Sequence, residues 1–169
     1  MKKKIFYLSS IVAMIGMILL VRKKAYNRRF KRVSWELFVR KMQLDAVSRL
    51  LYNKNKGIRY SDYIKEIGCN SVVIYGASDV GRLFYDVISE EGITVKFFID
   101  RALGGERVNG IPVIAPTNVV VDDTDVIVVT PTSYFDEIKG ELRNQNIKNP
   151  ILSLEDVIYN IPHNLCDDC

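Results

Sequence analysis

Apolar residues fall along this chain in three rhythms, and each predicts a different element. The first is an unbroken run. Residues 5–21 carry no charge and are bracketed by Lys2-Lys3-Lys4 and Arg22-Lys23-Lys24. At roughly 1.5 Å per residue the run makes about 25 Å of helix, the short end for a hydrocarbon core of about 30 Å, and flanking basic side chains can cover the shortfall. A cleaved leader would need a small-residue cleavage site where Arg22-Lys23-Lys24 stands. The run therefore predicts one retained transmembrane helix.

The second rhythm is helical. Trp35, Phe38, Met42 and Ala46, widened by Val39, Val47, Leu50 and Leu51, alternate with Glu36, Arg40, Lys41 and Arg49. They predict an amphipathic helix over 34–53, with Ser34 as N-cap and a break at Asn53-Lys-Asn-Lys-Gly57. Its acids favour packing against a globular body over lying on a membrane surface. A short helix over 61–67 stops at Gly68.

The third rhythm is the short, nearly continuous apolar run of a strand covered on both faces: 71–75, 94–99 and 125–130. Helical spacing returns between them at Val80, Leu83, Phe84 and Val87, and again over 134–144, with Ser133 as N-cap and Asp136 and Glu137 in the first turn. Asn109-Gly110 marks a tight turn into a short strand, and a strand at 150–153 with a helix at 154–160 closes the pattern. Alternation of this kind predicts an α/β fold, a small doubly wound parallel sheet. The organisation is then an anchor with basic flanks over 1–32, a helical packing region over 33–68, the sheet domain over 69–160 and a tail over 161–169.

Charge sharpens the division. The net charge is +4, yet ten basic residues lie in the first 32 positions and no acid precedes Glu36. The remainder holds 14 basic residues against 20 acids. An acidic body on a basic stem excludes nucleic acid as a partner and fits a membrane surface. Seven of the basic residues lie between Arg22 and Arg32, against three lysines before the run, so the body is expected on the cytoplasmic side of a single-pass cell-membrane protein.

The candidate chemistry sits after the first strand. Gly76-Ala-Ser-Asp-Val-Gly81 links strand to helix, the setting in which a glycine motif has meaning. Gly76 suits the tight turn and Gly81 lets helix and strand approach. Ser78 takes the middle position, where a backbone would meet a pyrophosphate, and its hydroxyl can donate to one. Asp100 lies 24 residues beyond Gly76, near the spacing of a ribose-binding carboxylate, though a strand-end turn needs the same residue equally well. Arg101 beside it can meet a phosphate or stay solvated. Ligands of such sheets bind beyond the strand C-termini, where the strand order reverses, and that rule adds Thr130 and Ser133. These seven residues define a Rossmann-like candidate site.

The stretch Ile74-Tyr-Gly-Ala-Ser-Asp-Val-Gly-Arg82, with Phe98-Ile-Asp100, Asn109-Gly-Ile-Pro-Val113 and Val128-Val-Thr-Pro131, resembles the small Rossmann-like domains linked to nucleoside-diphosphate-sugar epimerases and dehydratases. Related domains precede sugar acyltransferases in bacterial surface-polysaccharide biosynthesis. The resemblance covers roughly residues 58–160. It implies NAD(P) or a nucleoside-diphosphate sugar as the ligand, with Gly76, Ser78, Gly81 and Asp100 at matching positions, and a polysaccharide-biosynthesis protein as a partner. The chain departs from catalytic relatives: the one Tyr-x-x-x-Lys match, Tyr52 to Lys56, lies ahead of the nucleotide fold, and no acyltransferase repeats follow.

The tail offers His163, Cys166 and Cys169, three weak candidate zinc ligands in a segment that Pro162 cuts off from the last helix. Three cysteines in a cytoplasmic chain make no disulfide framework. The resulting expectation is a membrane-anchored module that binds a nucleotide or sugar nucleotide and is not an enzyme on its own. Its alternatives are an enzyme component completed by a partner, and an interaction domain with a degenerate nucleotide site.

Overall fold

The computed structural model describes residues 2–160, with side chains from Met17 onward. The chain divides into two compact units between Lys41 and Met42. From Lys2 onward the first is helical, part of α1 (Lys2–Asn55). No proline occurs before Pro112, and residues 17–55 contain no glycine, so nothing interrupts helical hydrogen bonding there. Ser34 is accordingly an interior residue and not an N-cap, and the amphipathic helix expected over 34–53 is the end of a longer one.

This length also corrects the membrane reading. The helix containing residues 5–21 continues without a break through Arg22-Lys23-Lys24 and the basic stretch beyond, and side chains are described only from Met17 onward. Among the described residues no helix is long and apolar enough to cross a membrane. The expected transmembrane helix is therefore overturned; the side chains of residues 5–16 lie outside the described residues, as does the 161–169 tail.

The second unit begins with α1 from Met42 and adds α2 (Tyr60–Glu66), β1 (Ser71–Tyr75), α3 (Asp79–Glu90), β2 (Thr94–Ile99), β3 (Arg107–Val108), β4 (Ile111–Ile114), β5 (Asp125–Val129), α4 (Phe135–Asn144), β6 (Ile151–Ser153) and α5 (Leu154–Tyr159). The strands form one sheet in the order β3-β4-β2-β1-β5-β6. The pairs β1–β2, β1–β5, β2–β4 and β5–β6 are parallel, whereas β3 pairs antiparallel with β4. The sheet is thus mixed and mostly parallel, a second departure from the all-parallel expectation. Its cause is local: Asn109 (φ 51°) and Gly110 (φ 79°) both adopt the left-handed conformation of a two-residue hairpin, which folds β3 back on β4 at the sheet edge.

β1 and β5 are buried along their full lengths because helices cover both faces. On one face Val72, Ile74, Val126 and Val128 pack with Leu50 of α1, Ile64 of α2, Phe84 of α3 and Leu154 of α5. On the other, Val73, Tyr75, Ile127 and Val129 pack with Ile138 and Leu142 of α4. The parallel strands lie third, second, first, fourth, fifth in order of appearance, so the order reverses between β1 and β5. A crevice opens at such a reversal, beyond the strand C-termini.

Candidate binding site at the strand ends

At the C-terminus of β1 the chain must turn sharply into α3. Gly76 makes the turn with φ 103°, where L side chains are strained, and its N–H donates to the Ile99 carbonyl at 2.8 Å. A Cβ on Gly76 would lie 2.5 Å from Thr130 Oγ1 and 3.0 Å from Pro131 Cδ. Gly81, in the first turn of α3, is tighter still: a Cβ there would sit 1.9 Å from the Gly76 carbonyl oxygen. The two glycines lock turn and helix together, as their spacing implies.

Asp100 completes the turn from β2. Its Oδ2 accepts from the Ala77 N–H at 3.0 Å, and its Oδ1 accepts from the N–H groups of Ala102 (2.8 Å) and Leu103 (3.2 Å). One carboxylate thus ties the glycine turn to the loop after β2. Arg101 points to α4, where one guanidinium nitrogen donates to Glu141 Oε2 at 2.8 Å and Glu137 Oε1 at 3.2 Å. Hydrogen bonds to Glu141 and then Glu137 raise the guanidinium above its ordinary pKa. Tyr75 Oη donates to the same Glu141 at 3.4 Å, and burial, then the Glu141 charge, raises its phenol.

Around these groups lies a cavity of about 380 Å³, lined by Tyr75, Gly76, Ser78, Asp100, Arg101, Ala102, Gln43, Pro131, Tyr134, Glu137 and Ile138. Four of the seven candidate residues, Gly76, Ser78, Asp100 and Arg101, line it together. The other three do not line it. Gly81 is buried beneath the turn, and Thr130 is buried with its hydroxyl donating to the Tyr75 carbonyl at 3.0 Å. Ser133 is not the expected N-cap of α4. It lies inside a 3-10 turn over Thr132–Tyr134, which moves the cap to Tyr134, and its hydroxyl donates to Met42 Sδ at 3.6 Å.

Ser78 occupies the N-cap position of α3, yet its side chain makes no capping hydrogen bond and is exposed toward the cavity. Ser78→Ala should therefore change stability by less than about 0.5 kcal/mol, against about 1 kcal/mol for a bonded cap. Urea unfolding of the two proteins would measure the difference.

Sequence reading missed Glu141 and took Glu137 only for a helix-dipole acid. The available signal was their i,i+4 spacing: like charges on one helix face are unfavourable unless a cation sits between them, and Arg101 is that cation. It also missed Arg82, whose Nε donates to the Ala77 carbonyl at 3.1 Å and braces the turn from α3. Tyr52, of the Tyr52/Lys56 pair, lies near the end of α1 under the Arg49 guanidinium and lines no part of the cavity. Among the described residues no group of three or more His, Cys, Asp or Glu could hold a metal; His163, Cys166 and Cys169 fall outside them.

A mixed α/β domain with a cavity at the reversal of strand order is the class of protein that fold and site define. The family model described as C2185-like, N-terminal matches residues 68–151, just under half of the chain. The match runs from before β1 to the start of β6 and takes in every cavity-lining residue except Gln43. No curated protein and no solved structure matches the chain.

Proposed function

We propose that the second unit is a binding module for a nucleotide or sugar nucleotide, serving as an accessory in surface-polysaccharide assembly. The observation that carries the binding reading is the single cavity wall formed by the Gly76 turn, the Ser78 hydroxyl at the start of α3 and the Asp100 carboxylate. The α3 N-terminus presents N–H groups that favour an anion, with Ser78 at the position where a backbone would meet a pyrophosphate. A volume of about 380 Å³ suits a ligand of nucleotide size. The polysaccharide role rests on the resemblance to domains linked to nucleoside-diphosphate-sugar epimerases and dehydratases.

The reading is of binding without turnover. A second reading, an interaction domain with a degenerate nucleotide site, is favoured by one feature: Asp100 and Arg101 already have partners within the chain.

Thermal unfolding of the full chain against NAD, NADP and a panel of nucleoside-diphosphate sugars tests the choice. A ligand at a hundred times its Kd should add about 2.7 kcal/mol to the folded state, several degrees of Tm. No shift with any member of the panel would favour the interaction domain.

A further inference from the structure

Residues 100 and 101 directly follow the strand that, in dinucleotide folds, meets the ribose: a carboxylate there binds free hydroxyls, and a nearby arginine accommodates a phosphorylated ribose. This chain has both groups side by side, and α4 decides between them. Both glutamates hold the same nitrogen of Arg101, so its positive charge is matched twice over before any ligand arrives. Tyr75 Oη also bonds Glu141, so the acceptor that lies closer to Arg101 is fixed from two directions.

Asp100, Glu137 and Glu141 thus bring three carboxylates against one guanidinium to this corner. A phosphate monoester placed there would meet excess negative charge, whereas hydroxyls would meet acceptors. We infer that Glu137 and Glu141 determine specificity by sequestering Arg101, so that the cavity admits a ribose or sugar with free hydroxyls and rejects its phosphorylated form. The inference rests on the binding-module reading and adds the selectivity of that site.

NAD and NADP differ by one ribose phosphate and serve as the probes, titrated calorimetrically into the full chain and the E137Q/E141Q double variant. The wild type should prefer NAD. The double variant should bind NADP about 10- to 100-fold more tightly than the wild type does, the worth of one charge-assisted hydrogen-bond pair. Both substitutions are isosteric, and an unchanged thermal transition confirms the fold. Adding Arg101→Ala should abolish the gain. A gain that survives without Arg101 would mean simple loss of negative charge, and would overturn the inference. So would unchanged NADP affinity in the double variant, or silence of both proteins toward both dinucleotides. If nucleoside-diphosphate sugars still bind in those cases, the inference alone falls; if they too are silent, the binding module falls with it.

Discussion

Gly81→Ala is expected to destabilise the second unit by about 3 kcal/mol and to disrupt the cavity. The added Cβ would stand 1.9 Å from the Gly76 carbonyl oxygen, a backbone atom that no rotamer change can move aside. Relief requires α3 to lift from β1, which would open the interface where Val80 and Phe84 are buried. Overpacking of a well-filled interior usually costs 1–3 kcal/mol, and contact with backbone belongs at the upper end (about 3 kcal/mol). Urea unfolding measures the loss, and a Gly81→Ala protein as stable as the wild type would show that helix and turn are not locked in this way. Ligand affinity should fall with it, because Gly76 and Ser78 move together.

The second large effect lies at the opposite end of the sheet. Asp125 opens β5, fully buried; its carboxylate accepts from the Ser71 hydroxyl and from the Asp122 N–H (2.8 Å), and pairs with Lys96 at 2.7 Å. Lys96 also bonds Asp122. Burial by itself would raise the Asp125 pKa, but the Lys96, Ser71 and Asp122 hydrogen bonds outweigh it and leave the pKa lowered. Asp125→Ala removes the common acceptor and should cost about 3 kcal/mol, the lower end for a broken buried pair because Lys96 keeps Asp122.

The pH dependence follows from the same groups. A lowered folded pKa means that the Asp125 contribution is present above the unfolded carboxylate pKa of about 3.9 and is lost as pH falls through the folded value. The Lys96 pKa is raised, by its bonds to Asp122 and then Asp125. That contribution is fully present below the unfolded lysine pKa of about 10.4 and is lost as pH rises through the folded value. The wild type should therefore lose stability below about pH 4 more steeply than Asp125→Ala. Parallel acid-unfolding curves would contradict this.

The elements that sequence revealed are those whose signal is local. Ser71–Tyr75 and Thr94–Ile99 coincide with their largely apolar runs because strands covered on both faces bury most of their residues. Asn109-Gly110 gave the tight turn, since few other pairs accept two left-handed residues in succession, but not the short antiparallel strand that precedes it. The glycine turn and its packing were legible for the same reason: the need for a missing Cβ is written at positions 76 and 81 themselves.

What escaped depends on partners distant in the chain. Asp100 was expected at a ribose or at a strand end, and the structure binds it to Ala77, 23 residues away, as well as to its own loop. Arg101 meets Glu137 and Glu141 across 36 and 40 residues, a pairing that only the folded sheet creates. The membrane helix failed differently. An apolar run bounded by basic residues was judged by its own composition, while the helix that contains it runs on, unbroken by glycine or proline between residues 17 and 55, through charged sequence.

On the proposed reading, the cavity between the Gly76 turn and α4 is where a nucleotide-type ligand binds. Ser78→Trp is the test: Ser78 is exposed, its side chain makes no capping hydrogen bond, and it lines the cavity that an indole would fill. Calorimetric titration of the wild-type chain with the best ligand of the panel should give micromolar binding. The Ser78→Trp protein, with an unchanged unfolding transition, should bind at least tenfold more weakly, a loss of about 1.4 kcal/mol. Equal affinity in the two proteins would place the ligand elsewhere and contradict the account.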